Sequence, residues 1–129
     1  MRVITVAAAQ MGAIQKEEER EEVIARMINM MDQAHRANAN LIVYPELTLT
    51  TFFPRYYMED LLEINTWFEN DMPNASTQPL FKKAKTLGMA MTFGYAELTS
   101  DGHHFNTSIH VDATGIIVGK YRKVHLPGH

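Results

Sequence analysis

A chain of 129 residues, 46% hydrophobic and 21% charged, has the balance of one folded domain around one core, which excludes a disordered segment. A net charge of -3 with no basic face excludes nucleic acid as a partner, and apolar runs of only a few residues, such as Leu41-Ile42-Val43, exclude a membrane span. There is no cysteine, so neither a disulfide nor a catalytic thiolate can form within these residues, and the composition fits a reducing, cytoplasmic location.

Val3 to Ala9 is small and β-branched and predicts a buried first strand. The run is at the short limit for a signal-peptide apolar region and alternates as a strand does, which favours a strand of the mature protein. From Lys16 to Ala37 the pattern is helical. Val23, Met27, Met30, Met31 and Ala34 recur at spacings of three and four on one face, and Ile24 and Ile28 widen that stripe. Glu17 to Glu19 lie near the start of this helix and His35 and Arg36 near its end, each with the sign that suits the dipole. Asn38 and Asn40 are suitable terminators. Leu41 to Tyr44 is a short apolar strand, as in a covered sheet, so the first part of the chain predicts strand, helix, strand with a parallel pair.

Pro45 ends that strand and opens a loop from Glu46 to Arg55. Glu59 to Asn70 predicts a helix with Leu61, Leu62, Ile64 and Phe68 buried, and Asp71-Met72-Pro73-Asn74 a turn. Ser76 or Thr77 caps a helix to about Leu87, with Pro79 in its first turn and Gly88 ending it. Met89 to Tyr95, Phe105 to Val111 and Ile116 to Tyr121 predict strands. The turns are Ser100-Asp101-Gly102 and Asp112-Ala113-Thr114-Gly115, and the last hairpin is antiparallel. The fold class is therefore α/β, a mixed sheet with helices on at least one face.

Two segments carry candidate chemistry. In Tyr44-Pro45-Glu46-Leu47 a carboxylate follows the C-terminal end of a strand, the edge where open α/β sheets bind ligands. Burial would raise its pKa and a neighbouring cation would lower it. Spacing alone leaves Glu46 open between a general base and a solvated loop carboxylate. In Gly119-Lys120-Tyr121-Arg122-Lys123, side chains two apart share a face of an extended strand, so Lys123 projects opposite to Lys120 and Arg122. Such a lysine can stabilise an oxyanion, or it is a solvated strand end.

Tyr44-Pro45-Glu46-Leu47 followed by Thr50-Thr51-Phe52-Phe53-Pro54-Arg55 resembles the glutamate segment of the nitrilase superfamily of carbon–nitrogen hydrolases, most closely the N-carbamoyl-D-amino-acid amidohydrolases. Phe105-Asn106-Thr107-Ser108-Ile109 and the run from Gly115 to His129, ending Leu126-Pro127-Gly128-His129, resemble their lysine segment. Gln10 and Gly94-Tyr95-Ala96-Glu97-Leu98 fit as well.

The resemblance implies an αββα sandwich of which this chain is the N-terminal part, with a mixed sheet and helices on the outer face. It implies a Glu-Lys-Cys triad with no metal and no cofactor, in which Glu46 is the base and Lys123 the oxyanion stabiliser. His125, His129, Asn106 and Phe53 are then candidates for binding substrate or orienting the catalytic groups. The implied substrate is a small N-carbamoyl-D-amino acid, and the full-length form is expected to be a homo-oligomer.

The family's cysteine lies downstream of its lysine segment. Residues 1–129 thus read as an incomplete carbon–nitrogen hydrolase domain, expected to show no turnover by itself. Two rivals stay open: another superfamily amidase, β-ureidopropionase-like or acting on aliphatic amides, and a non-catalytic nitrilase-like interaction module. The histidines His103, His104, His110, His125 and His129 match no standard zinc spacing.

Overall fold

The computed structural model describes Met1 and residues 3–126. Its centre is a five-stranded mixed sheet. Strand β1 (Val6–Ala8) leads into helix α1 (Arg20–Arg36), strand β2 (Leu41–Val43), a short 3-10 turn (Phe53–Arg55) and helix α2 (Leu61–Asn65). Helix α3 (Gln78–Leu87) and strands β3 (Ala90–Leu98), β4 (His104–Val111) and β5 (Ile117–Arg122) complete it. The strands lie in chain order, with β1, β2 and β3 parallel and β3, β4 and β5 antiparallel.

Helix α1 forms where the apolar stripe predicts it, but it starts four residues late. The Glu22 carboxylate accepts the Glu19 N–H at 3.1 Å, and Glu18 is drawn to Arg26, which takes both out of the helix and makes them its entry. Val23, Met27 and Met31 of α1 and Leu80 and Ala84 of α3 are fully buried against Ile42, Met91, Phe93 and Ile109 of the sheet. Gly88 ends α3 in the left-handed conformation at φ 60°, where glycine has no Cβ to clash.

Two expectations are corrected. Strand β1 is not buried: Val6 is 51% exposed, and Val43 of β2 is 37% exposed. Strand β1 is an edge strand, and α1 and α3 cover only one face of the sheet. The run of apolar residues marked the strand but not the number of faces covered. The predicted helix over Glu59–Asn70 shrinks to Leu61–Asn65, with Leu61 and Leu62 exposed. The cause is pairing with a distant strand. The Glu69 N–H donates to the Ala96 carbonyl at 2.8 Å and the Leu98 N–H to the Glu69 carbonyl at 3.0 Å, which draws Glu69 into a bridge with Glu97 of β3. No helix among the described residues is long and apolar enough to cross a membrane.

Register divides the sheet into two faces. Tyr95, Glu97, Phe105, Thr107, Ile109, Lys120 and Arg122 lie on the helix side. Thr92, Gly94, Asn106, Ser108 and Tyr121 lie on the open side.

Candidate active site

Glu46 leaves the end of β2 and stays pinned to β3. The Tyr44 N–H donates to the Thr92 carbonyl at 2.9 Å, and the Thr48 N–H donates to the Gly94 carbonyl at 2.9 Å. Between these anchors Leu47 turns at φ 49° with its side chain buried, a conformation that costs a non-glycine residue about 1–3 kcal/mol. The loop can lie this close because position 94 is glycine. A Cβ there would stand 3.1 Å from the Leu47 nitrogen and 3.2 Å from the Glu46 Cα. Gly94→Val is therefore expected to lift the Glu46 backbone off β3 and lengthen its contact with Lys123 beyond hydrogen-bonding range. A crystal structure of the variant with that contact intact would refute this.

Lys123 follows the last residue of β5. Its N–H donates to the Asn106 carbonyl at 2.8 Å, which extends the ladder by one step and turns its side chain to the open face. There Lys123 Nζ donates to Glu46 Oε1 at 2.7 Å, and Asn106 Nδ2 donates to the same oxygen at 2.6 Å. Three residues separated by 77 and 60 positions in sequence thus meet on one carboxylate oxygen. The pair is half open to solvent, with side-chain exposures of 51% for Glu46 and 35% for Lys123. The Lys123 hydrogen bond, reinforced by the one from Asn106, holds the Glu46 carboxyl below the usual carboxylate range, and partial burial opposes this without prevailing. Of the two opposing effects anticipated for Glu46, the cation wins.

The acid and the amine face a cavity of about 520 Å³ lined also by Gly94, Asn106, Ser108, Tyr121 and His125. His125 is exposed at its rim. His129 lies outside the described residues. Phe53 does not line the cavity. It is buried and stacked on Trp67 at 5.7 Å and meets Phe68 edge-on at 5.3 Å, because the 3-10 turn points it inward. The exposed neighbour Phe52 lines a second cavity of about 380 Å³ that shares Glu46 with the first and is lined also by Arg55. His110 bonds Thr92 at 2.8 Å and His104 bonds Asn65 at 2.7 Å, so these two are tied to the sheet and to α2. Among the described residues no three His, Asp or Glu side chains gather as metal ligands do.

Sequence reasoning gave Glu97 no role. It is 6% exposed on the helix side of β3. Arg122 approaches it as a fork, Nε to Oε2 and Nη2 to Oε1, both at 2.9 Å. Thr107 donates at 2.7 Å, and Lys120 adds a short ion pair. The Arg122 hydrogen bonds chiefly, aided by Lys120 and Thr107, hold its carboxyl down to about 2 against the opposing effect of burial. The available signal is the shared parity of Lys120 and Arg122, which puts two cations on one face of β5, the face that Glu97 shares across β4.

Known proteins resemble this chain in sequence and in fold. The sequence matches the carbon-nitrogen hydrolase family over residues 5–129. It is 31% identical over 105 residues to the glutamine-dependent NAD(+) synthetase of Acinetobacter baylyi, covering 81% of this chain and 17% of that protein. It is 30% identical over 104 residues to the N-carbamoylputrescine amidase of Arabidopsis thaliana, covering 81% of this chain and 33% of that protein. The fold superposes on a carbon-nitrogen hydrolase from Helicobacter pylori G27 with a TM-score of 0.78 at 21% identity, over 96% of this chain and 40% of that one. It superposes on an amidase from Nesterenkonia sp. with a TM-score of 0.77 at 20% identity, over 98% and 44%. The chain therefore spans less than half the length of each of these relatives. With the family matched from Thr5 to the last residue, the chain belongs to the carbon-nitrogen hydrolase family.

Proposed function

We propose that the protein carrying this chain hydrolyses the carbamoyl C–N bond of N-carbamoyl-D-amino acids, with Glu46 as general base and Lys123 as oxyanion stabiliser. The observation that carries the reading is the convergence of Lys123 Nζ and Asn106 Nδ2 on Glu46 Oε1 at the mouth of a 520 Å³ cavity. The nucleophile is a cysteine thiolate supplied from outside these residues, which contain none. Glu46 takes the thiol proton as sulfur attacks the carbamoyl carbon. Its Oε1 is occupied by two donors, and a carboxylate has further acceptor capacity on Oε2. Lys123 holds the developing oxyanion. Glu46 returns its proton to the departing ammonia and then takes one from the water that cleaves the thioester-like intermediate. The resulting carbamate loses carbon dioxide and leaves the amino acid.

Two features support a substrate bearing a carboxylate. The run from Thr50 to Arg55 resembles the carbamoylases. Arg55, whose guanidinium donates to the Tyr56 hydroxyl at 2.6 Å, also stands at the second cavity with Glu46. A cation there favours an anionic substrate over an amine-bearing one. A second reading, hydrolysis of an N-carbamoyl amine, is favoured by the 30% identity to an N-carbamoylputrescine amidase. The same proposal makes the whole protein a cytoplasmic homo-oligomer. Assay of the full-length enzyme on N-carbamoyl-D-amino acids, their L forms and N-carbamoylputrescine decides between the readings. Preferential cleavage of the D forms is expected, and preference for the amine would transfer the assignment to the second reading.

A further inference from the structure

We propose that Glu97 is a positioning residue that, by clamping Arg122 on one face of β5, holds Lys123 against Glu46 on the other. In its catalytic consequence the inference rests on the hydrolase reading above; its structural content does not. Glu97, Thr107 and Arg122 lie on three adjacent strands and share the helix-side face. Arg122 is fixed from two directions, by its forked bonds to Glu97 at 2.9 Å and by the Phe105 ring, whose centroid lies 4.0 Å from its guanidinium carbon. Arg122 is the last residue of β5, and its register partner Thr107 also donates to Glu97. One buried carboxylate on β3 therefore ties the end of β5 to β3 across the intervening strand β4. Lys123 is the next residue, with opposite parity, held by its N–H on the Asn106 carbonyl. Beyond it the described backbone forms no strand. The direction of the Lys123 side chain is thus set by where Arg122 is pinned. If Glu97 were neutral, Arg122 and Lys120, each about 40% exposed, would lose their shared anion and turn toward water, releasing the strand end.

The test reads Glu46 itself. Glutamate labelled with carbon-13 at the carboxyl is titrated by NMR in the protein and in Glu97→Gln, with Glu46→Gln assigning the signal. Two effects of opposite sign compete. Removing the negative charge of Glu97 acts through space to favour ionised Glu46 and lowers its pKa further. Losing the Lys123 contact raises it toward the ordinary carboxylate value. The expected result is a rise. A fall or an unchanged titration in a folded Glu97→Gln protein overturns the inference. Should that variant not fold, Arg122→Lys decides, because it keeps the charge on Glu97 and removes the fork. A rise in the Glu46 pKa is again expected, and an unchanged value overturns the inference. In an active full-length enzyme the same variants should lower kcat by roughly tenfold or more with KM nearly constant, as misplacement of a catalytic group does. If neither the variants nor the parent turn over N-carbamoyl substrates, the titration still decides the positioning role, and only the hydrolase reading fails.

Discussion

Replacing Lys123 by alanine is expected to lower kcat of the full-length enzyme by roughly 100- to 1000-fold, the scale on which loss of one oxyanion donor is felt. KM should change little, because the donor acts on charge that appears only in the transition state. Glu46→Gln should cost at least as much, since an amide cannot accept the thiol proton and give it back. The lysine variant has a second signature. In the intact site the Lys123 hydrogen bond is the main reason the Glu46 carboxyl lies below its usual range. A base with a lowered pKa stays ionised into more acidic solution. Without the lysine the carboxyl recovers toward its ordinary value, so the acid limb of the pH–rate profile moves to higher pH. Steady-state kinetics across the acid range measure both effects. Activity within tenfold of the parent, or an acid limb unmoved, would remove Lys123 from the chemistry.

The parts of the fold that could be read from residues alone are those where local and long-range forces agree. The stripe Val23, Met27, Met31 specifies one face of α1, and that face meets the sheet. The parity that separates Lys123 from Lys120 and Arg122 follows from the two-residue period of a strand, and the register of β5 against β4 reproduces it. What could not be read depends on distant partners. Glu59 to Asn70 has helical spacing, yet Glu69 finds β3 and the helix stops at Asn65. Phe52 and Phe53 are equivalent in composition, and only the 3-10 turn decides that Phe53 stacks on Trp67 while Phe52 faces solvent. At the candidate site, motif resemblance singled out Glu46, Lys123 and Asn106. The need for glycine at 94 and for a carboxylate at 97 arises from cross-strand neighbours 48 positions from Glu46 and 25 from Arg122, contacts that no window of sequence contains. The residues proposed for the chemistry were visible. Residues that hold those residues in place were not.

The largest expected loss of stability comes from Phe93→Ala. Strand β3 is the middle of the sheet, and Phe93 on its helix side has no exposed surface. Its ring meets Phe81 of α3 edge-on at 6.3 Å and Tyr95 at the same distance, so it joins the helix layer to the sheet. Removing it deletes the transfer free energy of a whole aromatic ring and leaves a cavity that α3 cannot fill without breaking its packing against α1. Such truncations cost roughly 3–5 kcal/mol, a large part of the 5–15 kcal/mol that separates folded from unfolded domains. Phe52→Ala serves as the contrast: that side chain is 56% exposed, and its loss should stay within about 0.5 kcal/mol. Urea denaturation of the two variants beside the parent measures the difference as a shift in midpoint at constant slope. Equal shifts for Phe52 and Phe93 would mean that the helix layer does not close over this face of the sheet. The support beneath Gly94 and Glu46 would then have to come from elsewhere, because Gly94 is the next residue along the same strand and faces the site.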